Sequence, residues 1–396
     1  MVGRKKALIA ANVTFLVFSL GCGLSQKMYQ LIIFRSLQGV GGAGIYALVS
    51  LCTYEISTKP NIPIYGAMAA ATVALASLTG PLIGGTLAES QAWKWVFLVN
   101  LPPGAIGACL LVVVMPAKFG KAPPKPLSCL RPSLSLFKNL DAMGIFLGLA
   151  ASLLLVAVLN ETNVEFPWSS RTTICLLTLS GCFWAAFFAW EWYMPPRWSG
   201  LEPIFPRDLF CNKAFIGILT TNFLCGCPWN VVIVYLAQRF QLLNQLSPLE
   251  AGIRIIPYTA VATVMTIITC LMSRKARIPV IYFALSGSIL HTVGNLLLSS
   301  QVQQASSFFT AGYGYQAMAG AGVGISLGIL TLATPYVVET KDLATATGAL
   351  TQARFLGGAV GLAIASNILY GRLKTQLSEI LSPQQLSDLL ASVDTI

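Results

Sequence analysis

Charge is scarce in this chain. Asp, Glu, Lys and Arg together make up 10% of its 396 residues, where a soluble domain carries about a quarter. Acid is the scarcer sign, with 14 Asp and Glu against 25 Lys and Arg, and the single histidine is His291. That poverty argues against an enzyme. No HExxH, GxSxG or Walker loop occurs, His291 lies inside an apolar run, and the acids fall mainly at predicted helix ends (Glu55, Glu89, Glu191, Glu250, Glu339). The ten cysteines are scattered singly, mainly inside apolar runs (Cys22, Cys52, Cys109, Cys175, Cys182, Cys270), and the one close pair, Cys225 and Cys227, has CxC spacing. They match neither a disulfide framework nor a metal site and read as small buried apolar residues. No metal and no cofactor is expected.

Apolar residues are abundant instead: 55% of the chain, with a mean hydropathy of +0.72. About eleven mostly apolar stretches of roughly 18 to 28 residues run almost end to end. A hydrocarbon slab of about 30 Å needs about 20 such residues in a helix, and without water each crossing must satisfy its own backbone hydrogen bonds. The expectation is an all-α polytopic membrane protein. Its predicted helices cover 7–25, 29–53, 63–88, 95–115, 141–159, 172–192, 214–238, 251–272, 278–299, 309–337 and 344–370. A cleavable signal peptide imitates the basic start and first apolar run, but a second run follows almost at once, so the first is read as a membrane helix.

The net charge of +11 would suggest nucleic acid in a soluble protein. Here the Lys and Arg sit in loops beside a membrane, so no nucleic acid partner is expected and lipid is the partner the charge fits. With the N-terminus in the cytoplasm, sixteen of the 25 Lys and Arg fall on the cytoplasmic side and seven outside, while Arg35 and Arg354 lie within helices. The bias supports that orientation.

Two linkers divide the chain. Residues 116–140 are rich in Pro, Lys and Ser, and 193–213 carry Pro195, Pro196, Pro203 and Pro206. The predicted organisation is an N-terminal helix bundle over 1–115, a cytoplasmic linker over 116–140, a two-helix insert over 141–192, a second linker over 193–213, and a C-terminal bundle over 214–370. Residues 371–396 form an amphipathic tail, with Ser382-Pro383 as a helix start and Leu386, Leu389, Leu390 and Val393 on one face.

Arg35 is the sharpest single residue. An unpaired guanidinium inside an apolar run costs about 2.5 kcal/mol or more, so Arg35 either snorkels toward the outer surface, about two turns away, or faces a watered cavity and senses substrate or proton charge. Glycines at 39, 41, 42 and 44 would let neighbouring backbones pack close around it. Residues 74–85, Ala-Leu-Ala-Ser-Leu-Thr-Gly-Pro-Leu-Ile-Gly-Gly, form the second site. Pro81 removes a helix hydrogen bond, and Gly80 and Gly84 offer a small-residue face, so a bent and tightly packed helix is expected.

These segments resemble the major facilitator superfamily and, within it, fourteen-helix drug:proton antiporters of the fungal efflux type. Gly3-Arg4-Lys5-Lys6 matches the end of the family's motif between helices two and three. Phe34 to Gly44 resembles its helix-four arginine motif, Ala74 to Gly85 its helix-five antiporter motif, and Trp93 to Gly104 the W-R-W-x-F-x-x-N-x-P-x-G segment. Ser247 to Pro257 resembles S-P-L-x-A-G-x-x-x-x-P, and Gly348 to Gly361, with Arg354 to Gly358, the penultimate helix. Two departures stand out: Met1-Val2 replaces the G-x-L-a-D and two helices that should precede Gly3, and one further helix should follow Ile396.

The resemblance implies a major facilitator fold and a secondary transporter exporting a small, largely apolar organic compound in exchange for protons. Arg35 would serve proton coupling or substrate gating. Gly80, Pro81, Gly84 and Gly85 would form the conformational bend, and Gly3, Arg4 and Lys5 the cytoplasmic gating loop. Asn222, Trp229, Asn230, Tyr235, Tyr315 and Gln316 are candidates to line the cavity. The cell membrane is the expected location, with vacuolar or vesicle membranes as alternatives. The rival readings are a truncated, transport-inactive membrane protein and a nutrient importer; the antiporter pattern at residues 74–85 disfavours the second.

Overall fold

The computed structural model describes residues 4–57, 61–90, 92–116, 141–162, 167–193, 203–275, 279–300, 310–339 and 342–378. Residues 117–140 of the first linker and 194–202 of the second, Gly3 and the tail beyond Ser378 lie outside the described residues. The helices are α1 (Arg4–Leu24), α2 (Met28–Ile56), α3 (Ile62–Glu89), α4 (Trp95–Leu98), α5 (Leu101–Val114), α6 (Ala142–Glu161), α7 (Arg171–Tyr193), α8 (Arg207–Cys211), α9 (Lys213–Leu242), α10 (Pro248–Lys275), α11 (Val280–Ser300), α12 (Ala311–Val337) and α13 (Leu343–Ser378). Among the described residues ten spans are long and apolar enough to cross a membrane, α4 and α5 counting together, and α3 carries a shorter apolar stretch, Ile62–Val73. The protein is a multi-pass membrane protein, and its helices fall where the apolar runs placed them.

Two boundaries are corrected. The expected single helix over 95–115 is broken at Val99 and Asn100. Pro102 and Pro103 have no N–H to give to the preceding turn, so α5 starts afresh with them in its first turn. At the other end α13 continues eight residues past the expected limit at 370, to Ser378, so the start of the expected tail belongs to the last helix.

Side-chain ties gather alternate helix ends at one face. Arg4, in the first turn of α1, donates through Nε and Nη2 to Glu55 Oε1 near the end of α2, at 3.1 and 3.0 Å. Lys5 Nζ donates to the carbonyls of Val112 and Met115 at the end of α5, at 2.8 and 2.5 Å, where unsatisfied carbonyls favour a cation. Asn212 Oδ1 caps α9 by accepting from Phe215 N, and its Nδ2 donates to Val337 O at the end of α12.

The insert helices α6 and α7 pack on each other and, through α6, on α13. Buried Asp141 caps α6 at Gly144 N and accepts from Trp190 Nε1. Buried Glu191 accepts from Phe205 N, which fastens the insert to the segment leading into α8. Leu147, Phe187, Phe205, Leu209, Phe215, Val338 and Ala346 close an apolar core over that junction.

The centre of the protein is α12, packed between α10 and α11. Its glycines permit this. A methyl group on Gly320, Gly324 or Gly328 would run into Tyr258, Ala262 or Thr266 of α10, and one on Gly322 into Gly287 and His291 of α11. Spacing of four residues puts the first three on one face, where two backbones come into direct contact. The helix α3 makes its most extensive packing with α10, outside the N-terminal group of α1, α2 and α5.

Candidate functional site

Three polar or glycine-lined places occur at the helix junctions. The first is built on α2, one turn of which puts Arg35 and Gln38 side by side. Arg35 Nη1 donates to Gln38 Oε1 at 2.7 Å, and Gln38 Nε2 donates to Ser19 Oγ of α1 at 2.6 Å. The Phe97 ring of α4 lies under the guanidinium, 5.3 Å from its centroid. Gln38 and Ser19 are buried while Arg35 is exposed. Close approach of α1 and α2 depends on Gly41, where a methyl group would meet the Phe15 backbone nitrogen at 2.5 Å. Among the described residues no carboxylate pairs with Arg35. One of its five N–H donors is thus taken by a neutral amide, which does not neutralise the positive charge.

The second is the contact of α3 with α10. A methyl group on Gly85 would meet Leu249 Cα at 2.5 Å, and one on Gly252 would meet Pro81 Cβ at 3.0 Å and its carbonyl at 3.2 Å. The Gly-Pro segment thus packs onto the Ser-Pro-Leu-x-Ala-Gly segment. The expected small-residue face is corrected here: Gly80 and Gly84 have nothing within 4 Å, and Pro81 and Gly85 make the contact. A helix turns 100° per residue, so a shift of one position rotates the packed stripe away from 80 and 84.

The third is a cleft at the junction of α2, α9, α12 and α13, lined by Tyr46, Ser50, Tyr54, Asn222, Thr331, Thr347, Leu350, Thr351 and Arg354. Its interior of about 20 Å³ admits one water-sized group. Arg354 Nη2 donates to the Tyr46 hydroxyl, and the guanidinium lies 5.3 Å from the Tyr46 ring centroid and 5.5 Å from that of Phe355. Tyr54 donates to Thr331 O at 3.0 Å. Asn222 Nδ2 donates to Leu350 O at 2.6 Å, whereas its buried Oδ1 has no hydrogen-bond partner among the described residues. Glycines again set the geometry: Gly226 of α9 accommodates the Arg354 carbonyl, and Gly357 of α13 that of Phe223.

Of the six residues expected to line a cavity, Asn222 lines this one. Trp229 stacks on Tyr258 with centroids 5.0 Å apart. Asn230 donates to Gly226 O and packs against Gly358. Tyr315 packs on the cluster of Leu236, Phe240, Ala251, Ile255 and Leu298. Tyr235 is half-buried, and Gln316 is fully buried with neither amide atom hydrogen-bonded among the described residues. Arg4 and Lys5 belong to the first turn of α1 and tie it to α2 and α5, while Gly3 is not described. Arg354 was missed as a site residue. Its signal was present in the sequence, a charge eleven residues into an apolar run.

A model of the Major Facilitator Superfamily matches residues 1–362. The chain is 35% identical to the MFS-type transporter FPY5 of Fusarium mangiferae over 394 residues, covering 100% of this chain and 66% of that protein. It is 30% identical to the MFS-type efflux pump MMF1 of Pseudozyma antarctica, covering 96% of this chain and 67% of that protein. With the efflux pump dotC of Dothistroma septosporum it shares 28%, covering 99% and 64%. The chain thus spans about two thirds of the length of these relatives. Its fold is similar to the crystal structure of the human organic anion transporter MFSD10, with a TM-score of 0.56 at 15% identity, covering 93% of this chain and 72% of that one.

Proposed function

The chain belongs to the Major Facilitator Superfamily, and on that premise we propose that it is a secondary transporter that exports a small, largely apolar organic compound in exchange for protons. Alternating access would rock two helix groups about a site near mid-membrane. The observation that supports this reading most is the contact of Pro81 and Gly85 with Gly252 and Leu249. Two helices far apart in sequence meet there through small residues and proline, a surface over which one backbone can shift against another with few side chains to disengage. Arg35 supplies the charge that answers protonation, held by Gln38 with no counter-ion among the described residues. Efflux pumps among the relatives agree with the direction of transport.

The test uses the full chain in sealed vesicles with an imposed proton gradient and a panel of lipophilic fluorescent dyes, charged and neutral. Gradient-driven dye movement that a protonophore abolishes is expected, and movement indifferent to the protonophore would remove proton coupling. Arg35→Ala should abolish gradient-driven export with expression near normal. Arg35→Lys should restore only part, because a point charge lacks the planar fork of donors. Pro81→Ala should slow export by restoring a helix hydrogen bond. Full export by Arg35→Ala would leave Arg35 as a snorkelling residue.

A further inference from the structure

We propose that the cleft at Arg354 is the headgroup subsite of the transported compound, and that this compound is an amphipathic organic acid with a hydrogen-bond donor beside its carboxylate. The inference rests on the transporter reading and adds a substrate class to it.

Depth comes first. Arg354 is eleven residues into α13, Tyr46 ten residues from the end of α2 and Asn222 nine residues into α9. At 1.5 Å per residue all three lie about 15 Å along their helices from the ends on one side, well inside spans long and apolar enough to cross a slab of about 30 Å. A cation at that depth is among the least favourable groups a membrane protein can carry. Among the described residues no carboxylate pairs with it.

Donors and acceptors come next. A guanidinium has five N–H donors, and the Tyr46 hydroxyl takes one of them. The planar fork matches the two oxygens of a carboxylate. In the lining of the same cleft, the buried Asn222 Oδ1 is an acceptor without a partner among the described residues. The hydroxyls of Ser50, Thr347 and Thr351 donate back to their own helices, to Tyr46 O, Leu343 O and Thr347 O. The cleft therefore offers donors from Arg354 and acceptors from Asn222 and these hydroxyl oxygens. The complementary ligand end is a carboxylate with a hydroxyl or N–H next to it.

Size and rim complete the argument. An interior of about 20 Å³ admits one water-sized polar group, such as a single carboxylate oxygen, and not the whole of a molecule. The rest must lie outside, where Phe355 is 58% exposed and Tyr46 38% exposed, with their rings 6.1 Å apart edge to face. These aromatic surfaces flank the guanidinium and suit an apolar body.

The experiment measures binding to the purified full chain in nanodiscs of zwitterionic lipid, with no gradient, using the fluorescent probe 3-hydroxy-2-naphthoate, its neutral amide, and 2-naphthoate. The hydroxy acid should bind saturably, at least tenfold tighter than the amide and several-fold tighter than 2-naphthoate. Arg354→Gln should erase the acid preference, and Arg354→Lys should keep it at reduced affinity. Equal binding of acid and amide, no saturable binding of the acid, or an intact preference in Arg354→Gln would overturn the proposal. Equal binding of 2-naphthoate would overturn the role of Asn222. If Arg354→Gln fails to fold, loss of the preference in folded Arg354→Lys overturns it and retention supports it. Binding without a gradient is independent of export, so loss of the transporter reading in the vesicle test is distinguishable from failure here.

Discussion

The run Trp95–Val114 and the helix α12 are both apolar enough to cross a membrane, yet no residue of the best 18-residue stretch of the first is buried within the protein, against 72% of that of the second. In water such a difference would follow from hydropathy. In lipid it cannot, because the surrounding chains are as apolar as leucine and helices gain nothing from hiding apolar surface. What separates the two is backbone access. Six glycines lie between Gly312 and Gly328 of α12, and those at 320, 322, 324 and 328 meet neighbouring helices directly. The outer run ends in Val112, Val113 and Val114, which are all exposed. Its inward contacts with α1 come at Gly104, which meets Leu16, and at Gly107, which meets Asn12. Apolarity decides that a segment enters the membrane, and small residues decide which neighbour it keeps.

The sharpest way to break this comparison is to exchange side-chain bulk between the two kinds of surface. Gly324→Leu puts carbon into the Ala262 carbonyl and should cost about 3 kcal/mol or more. Fluorescence-detected size-exclusion should show loss of the monodisperse peak, while Val113→Leu, at a residue 82% exposed, should leave it unchanged. Equal profiles for the two variants would mean that the glycine seam does not order the helices.

One helix carries both surfaces and sharpens the point. On α3, Gly85→Ala should lower thermal stability by about 1–3 kcal/mol, since Leu249 Cα stands at 2.5 Å, whereas Gly80→Ala and Gly84→Ala enter open space. Stability loss at 80 or 84 equal to that at 85 would contradict the packed stripe.

Polar ties extend the contrast at a smaller scale. Glu191→Ala removes the buried acceptor of Phe205 N and should cost about 1–3 kcal/mol. Glu55→Ala removes a surface partner of Arg4, with both side chains about 30% exposed, and should cost about 1 kcal/mol or less. Paired thermal unfolding measurements decide, and a larger loss at Glu55 would reverse the ranking. The smallest effect concerns the sequon at Asn160-Glu161-Thr162. Asn160 is still helical and donates to Val156 O, and Thr162 is buried, so the wild-type chain should show no glycosidase-sensitive mass shift of the kind that Asn160→Gln would remove. A shift would place this loop farther from the membrane.

The helices were legible in the sequence because lipid enforces length: every predicted run contains a helix. The break at Val99 was legible too, had Pro102 and Pro103 been weighed against the apolar run. Packing partners were harder to read. Gly80, Pro81, Gly84 and Gly85 marked the right segment of α3, but four small residues within six positions cannot say which side meets α10. Among the polar residues expected to line a cavity, Asn222 borders the cleft at Arg354, Trp229 stacks on Tyr258, Asn230 and Tyr315 pack on neighbouring side chains, and Gln316 is buried. A half-apolar side chain in a helix carries no mark of the direction it faces. Arg354 did carry one, since a charge at mid-depth needs a reason wherever it points.

The pairing of α3 with α10 also governs how the protein is made. About 160 residues separate the end of α3 from the start of its partner, and a ribosome adds roughly 5–20 residues per second. For roughly ten to thirty seconds α3 sits in the bilayer with Pro81 and Gly85 facing lipid or whatever insertion factor occupies that side. Assembly of this contact is therefore set by the pace of translation, and slowing elongation between residues 90 and 247 lengthens the interval in which the helix can be lost to a wrong neighbour.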